Sequence, residues 1–139
     1  MSSKGKVLRL YFEGAYQRSQ VYVNGLYIGG HYSGYTSFSL RIDNATNNPG
    51  LLNYGGTNLL SVFVDANAPE GWWYDGGGIY RHVWLIETPE VHIRPWGVFA
   101  LPSVQAGIQH GDNWTDRAEA SLAVQTEVTT GYAGRWRML

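Results

Sequence analysis

The sequence predicts an all-β fold, an antiparallel jelly-roll-like β-sandwich. Short stretches alternate apolar and polar residues with a period of two, turn residues separate them, and no segment sustains a helical period. With 139 residues, 18 Gly, 10 Tyr and 6 Trp, the composition suits short strands joined by tight turns around one main core.

The first strand is expected within Lys6–Glu13, where Leu8, Leu10 and Phe12 alternate with Arg9, Tyr11 and Glu13. Asn24-Gly25 lies between Gln20–Val23 and Leu26–Gly29, and Asn-Gly between apolar alternations predicts a type I′ hairpin because both turn residues need positive φ. Gly29–Tyr35 then reads as an aromatic loop, and Ser37–Ile42 as a strand with Phe38, Leu40 and Ile42 on one face. Asp43–Thr57, rich in Asn and Gly, reads as a surface excursion from which Leu51, Leu52 and Tyr54 dip into the core as a short turn of helix. Asn58–Asp65 and Ile79–Glu87 are the two most apolar strands and are expected at the centre of the sheets. Val91–Phe99 is a further strand, with Pro95 acceptable only at an edge or bulge. Ala100–Thr115 reads as turn-rich, Ala118–Val128 alternates cleanly, and Thr129–Leu139 forms a tail without a visible partner strand. About eight strands are expected in all.

The formal charge of −1 comes from scattered residues with no basic stripe, which argues against nucleic-acid and anionic-membrane partners. There is no cysteine, so disulfide scaffolds and thiolate chemistry are excluded. The N-terminus shows no apolar signal core, and no apolar run reaches membrane-spanning length, so a soluble chain of undetermined localisation is expected.

Several stretches, taken in order, resemble the N-terminal sugar-binding domain of glycoside hydrolase family 2. They are Phe12-Glu13-Gly14, Val21–Gly25, Gly30-His31 with Gly34-Tyr35 and Phe38, Asn58–Val62, and Gly71–Leu85. The resemblance covers roughly Lys6–Glu87. It implies a galactose-binding-like jelly-roll domain over 6–88, followed over 89–139 by strands similar to the start of an immunoglobulin-like domain, with an irregular tail. In that family the pattern begins further upstream and continues into a barrel bearing two catalytic glutamates. The resemblance therefore implies a truncated module, not an enzyme in its own right, whose parent family cleaves β-linked sugars. It also implies that the loop before the Trp-Tyr pair approaches the sugar.

The residues themselves offer no convincing catalytic pair: glycoside hydrolysis needs two carboxyl groups about 5 Å apart or wider, and Glu70 and Asp75, the nearest in sequence, flank a loop that the resemblance implies is used for support. The four histidines, His31, His82, His92 and His110, lack metal-site or triad spacing. No cofactor and no metal are expected. Sugar recognition needs aromatic faces for the C–H surface of a pyranose and polar groups for its hydroxyls. Trp72, Trp73, Tyr74, Glu70 and Asp75 supply both kinds, and His31 and Tyr35 make a second candidate surface. Each has an architectural reading as well. Trp73 and Tyr74 would plug the sandwich end, Arg81 would pair with a buried carboxylate, and His31, Tyr32 and Tyr35 would cover the open end. The expected partner is a carbohydrate, a β-glycoside or polysaccharide; the alternative is a structural fragment with no ligand. Unpaired sheet edges would invite a homodimer.

Overall fold

The computed structural model describes residues 3–43, 49–67, 76–105, 109–110, 113–114, 119–129 and 135–138. It is all-β, with antiparallel sheets and no helix among the described residues; none there is long and apolar enough to cross a membrane. The chain divides into two compact units, Met1–Pro89 and Glu90–Leu139.

In the first unit, β1 (Val7–Phe12) lies between β5 (Phe38–Arg41) and β8 (Val83–Thr88), and β3 (Ser19–Val23) lies between β4 (Leu26–His31) and β6 (Leu60–Phe63). The alternation of β1 sends Leu8, Leu10 and Phe12 inward, where they meet Val21 and Val23 of β3, Phe38 of β5, Ile42 and Leu51. Each such side chain contributes about 1.5–3 kcal/mol on burial, and β1 and β3 supply the fully buried Phe12 and Val21. The central strands are thus β1 and β3. Residues 60–63 and 83–88, expected at the centre for their apolar content, take the edges instead. Leu60, Phe63 and Leu85 remain exposed there, because apolar content reports a wish for burial and not the number of hydrogen-bonded neighbours.

Other elements depart from expectation in smaller ways. Gly29, Gly30 and His31 continue β4 instead of opening a loop, since they pair with Val21, Gln20 and Ser19. The stretch 79–87 is split into β7 (Gly78–Ile79), which pairs with β2 (Ala15–Tyr16), and β8. Leu51 is buried, with Leu52 and Tyr54 packed against the core, but residues 51–54 form no helix. They are held by side-chain hydrogen bonds. Asn24 and Gly25 have φ of 50° and 80°, as the type I′ turn requires, and the Asn24 side chain does more than turn. Its Nδ2 donates to Leu51 O at 2.7 Å and to Asn58 Oδ1 at 2.9 Å, while its Oδ1 accepts from Leu59 N at 2.8 Å.

In the second unit, β9 (His92–Gln105) pairs with β12 (Glu119–Thr129), which also pairs with β13 (Arg135–Met138). The pairing shifts between Thr126 and Val128, opposite Arg94–Gly97, so Pro95 sits in a bulge where its missing N–H is tolerated. The tail expected to lack a partner supplies β13, and the stretch expected to be turn-rich carries the end of β9 and the pair β10 (Gln109–His110) and β11 (Asn113–Trp114). Thirteen strands stand among the described residues, against about eight expected; the additional ones are the two-residue strands β2, β7, β10 and β11 and the tail strand β13.

Replacing Asn24 tests the clasp. Asn24→Ala is expected to cost about 2 kcal/mol in urea unfolding, from lost hydrogen bonds and the left-handed backbone. Asn24→Gly keeps the turn and should cost less; equal losses would assign the effect to the side-chain bonds alone.

Candidate functional site

One end of the first unit gathers aromatic rings on three turns. His31 ends β4 opposite Ser19, whose hydroxyl donates to His31 O at 3.2 Å. The His31 ring stacks on Phe38 at 4.8 Å, and Phe38 stacks on Phe12 at 4.6 Å with their planes 3° apart. Its Nε2 lies 2.7 Å from Thr36 Oγ1. His31 is thus half-buried and held in the stack.

Tyr35 differs: it is 65% exposed, and its ring meets Tyr16 edge-to-face at 5.4 Å. Tyr32, also exposed, lies under the Arg18 guanidinium at 5.3 Å. Between them Gly34 is buried against Tyr16, and a β-carbon there would run into that ring. Tyr80 clamps the same loop by donating its hydroxyl to Gly34 O at 2.7 Å.

The residues that flank 68–75 arrive at this end too. Asp65 N donates to Gln17 O at 3.1 Å, Gly77 packs against Ala66, and the β2–β7 pairing sets Gly78 opposite Tyr16. Tyr35 and both stems therefore converge on Tyr16–Gln17. Glu70, Trp72, Trp73, Tyr74 and Asp75 lie outside the described residues. Arg81, expected beside a buried carboxylate, is exposed and stands over the Tyr80 ring at 5.6 Å.

A second cluster was not singled out in the sequence. Glu13 Oε1 accepts from Trp84 Nε1 at 2.9 Å, and its Oε2 lies 3.2 Å from His82 Nδ1. The rings of His82 and Trp84 overlap at 5.4 Å. The signal was available: Tyr11 and Glu13 share the outward parity of β1, and His82 and Trp84 share that of the strand paired with it. The indole N–H of Trp84 holds the Glu13 carboxyl below its ordinary value, with His82 adding to the effect. Lys6, and then Ser3, lower Glu87 in the same way. Among the described residues no group of three or more His, Asp or Glu is placed to hold a metal.

No family model matches the chain, but individual relatives do. Over 100 residues it is 39% identical to the β-galactosidase BoGH2A of Bacteroides ovatus, a match covering 71% of this chain and 11% of that protein. A β-glucuronidase of Bacteroides fragilis is 38% identical over 146 residues, covering 92% of this chain and 20% of that protein. The structure of a glycosyl hydrolase family 2 member from Bacteroides cellulosilyticus superposes with a TM-score of 0.73 at 32% identity, over 91% of this chain and 15% of that one. The β-glucuronidase of Bacteroides uniformis gives 0.70 at 29% identity, over 89% and 14%. Fold and matches together define a β-sandwich portion of glycoside hydrolase type. The chain is a relative of the β-galactosidases and β-glucuronidases of glycoside hydrolase family 2, and it spans 11% of the length of the Bacteroides ovatus protein and 20% of that of the Bacteroides fragilis protein.

The Glu13 contact gives a pH dependence. A carboxyl lowered on folding stabilises the folded chain fully above its ordinary value of 4.5 and loses that increment as the pH falls through the lowered value. Urea midpoints measured from about pH 5 to about pH 3 should fall less steeply for Glu13→Gln than for the parent. Parallel curves would remove Glu13 from the acid response.

Proposed function

We propose that this chain is a non-catalytic carbohydrate-binding module of family 2 type, contacting β-linked sugars through the 70–75 loop together with Tyr35. The observation that carries the reading is the exposed Tyr35 ring beside Tyr16, where both stems of the loop arrive. Trp72, Glu70 and Asp75 belong to the segment between those stems, and with the exposed ring they would combine a stacking face with hydrogen-bonding groups. The names of the relatives, β-galactosidase and β-glucuronidase, point to the same ligand class. His31, stacked on Phe38 and 2.7 Å from the Thr36 hydroxyl, stands at the start of the turn that carries Tyr35. Residues 89–139 correspond on this reading to opening strands of an immunoglobulin-like domain.

The non-catalytic part of the reading is supported by how four of the eleven carboxylates are used. Glu13 is held by Trp84 and His82, Asp43 by Arg41, Glu87 by Lys6 and Glu127 by Arg94. Each serves a structural pair, and hydrolysis requires two free to act on one bond. Calorimetric titration against galactosides, xylan, glucans and mannans should give a saturable isotherm that weakens about tenfold in Trp72→Ala and severalfold in Tyr35→Ala, with no release of nitrophenol from nitrophenyl glycosides. An isotherm unchanged by both substitutions sinks the loop assignment.

A second reading, a structural piece that packs on other protein, is favoured by a different observation. A cleft of about 810 Å³ opens between the sheets, lined by Leu8, Leu10, Ile42, Leu59, Leu60 and Leu85 among others, and its rims are the edge strands β6 and β8. Exposed apolar edges favour strand pairing with another copy. Sizing by light scattering across a concentration series should then show a monomer–dimer equilibrium that Leu85→Lys shifts to monomer. A chain monomeric at every concentration rules out the homodimer.

A further inference from the structure

We propose that Glu13, His82 and Trp84 form a second sugar-contact surface, on the outer face of the β5-β1-β8 sheet, fitted to a neutral hexopyranoside and not to a uronate. It goes beyond the loop reading and does not depend on it.

The register places the group. Phe12 pairs with Val83 and Tyr11 with Trp84, and Glu13 N donates to His82 O at 3.1 Å. Phe12 points into the core, so Tyr11 and Trp84 point out, and Glu13 and His82 share their side. The Glu13 carboxylate then ties both rings, Trp84 through Nε1 and His82 through Nδ1. Rings held in this way reach a ligand already oriented, which lowers the entropy lost on binding.

Packing alone does not account for this arrangement. Trp84 is 50% exposed although its one polar atom already has a partner. What it leaves in solvent is therefore apolar ring surface, which gains free energy when covered. The groups beside that ring are polar: a carboxylate with acceptor capacity beyond its two bonds, and the largely exposed imidazole of His82, whose other ring nitrogen can meet a hydroxyl. An apolar ring face bordered by acceptors matches a pyranose, whose C–H face is apolar and whose edge donates hydroxyl protons. The carboxylate also sets the specificity, because a uronate would bring a second negative charge to Glu13.

The test uses the full chain, ¹⁵N-labelled, titrated with methyl β-galactopyranoside and with methyl β-glucuronide. Trp84→Phe identifies the Trp84 indole signal among the six tryptophans and keeps an aromatic ring should Trp84→Ala fail to fold. The Trp84 signal should move saturably with the galactoside, and the glucuronide should bind at least about tenfold more weakly. Trp84→Ala should lower galactoside affinity about tenfold. Glu13→Gln should bring the two ligands closer together in affinity, and Tyr35→Ala should leave the Trp84 shift in place. An indole signal that does not move with the galactoside overturns the proposal. If sugar binding is lost in Trp72→Ala while the Trp84 signal stays still throughout, the loop reading stands and this one falls. If Trp84→Ala changes self-association and leaves sugar affinity intact, the surface belongs to a protein contact and the proposal is likewise overturned.

Discussion

Phe12 lies flat against Phe38, and His31 stacks on Phe38 in turn, so three rings run from the fully buried end of β1 to the rim of the sandwich. Phe12 and Phe38 are a directly opposed cross-strand pair of one sheet, whereas His31 closes β4 of the other. The stack therefore pins the two sheets together at one end. Everything that projects from that end inherits its position from this contact. The turn 32–37 leaves from His31 and returns to Phe38, and the hydrogen bond between Thr36 Oγ1 and His31 Nε2 closes it on itself. Tyr16, shortly before β3, receives Tyr35 against its edge and has Gly34 beneath it.

Much of this was legible in the chain. The alternation Leu8, Leu10, Phe12 named the inward side of β1, and Asn24-Gly25 named a turn whose dihedrals the structure shows. These signals are local: each depends on a few consecutive residues and on backbone sterics. What escaped prediction depends on partners distant in sequence. Residues 60–63 and 83–88 are as apolar as central strands, yet centrality is decided by which strands find two neighbours, and β1 and β3 did. The buried Leu51 was anticipated, but the sequence could not show that Asn24, far from it along the chain, would replace a helical turn as its anchor. Arg81 was assigned a buried carboxylate by type and found a neighbouring tyrosine ring instead. Of the candidate site, Tyr35 and His31 proved different in exposure and contacts only once the structure was visible, and residues 70–75 lie outside the described residues.

The apolar edges have a physical cost that bears on function. Leu59, Leu60, Phe63 and Leu85 are exposed along β6 and β8, beside a cleft walled by the inward faces of both sheets. A closed sandwich would bury such residues. The opposite flank is tighter: the strands β4 and β5 approach each other there, and Gly29 has Leu40 packed directly over it. The asymmetry separates two kinds of surface on one unit, an apolar flank and an aromatic, polar end.

The two aromatic surfaces are also held by different forces. Tyr35 is placed by ring packing that leads back to the Phe12–Phe38 stack. Trp84 is placed by a hydrogen bond to a carboxylate at the surface. Ring packing is indifferent to protons, and a carboxylate is not. Protonating Glu13 removes negative charge from the acceptor shared by Trp84 and His82, weakening the hold on both rings, while the stack beneath Tyr35 keeps its apolar contacts. Acid should therefore loosen one surface before the other, and the order follows from the parity of a single strand. Phe12 faces the core, and Glu13, the next residue, faces the solvent.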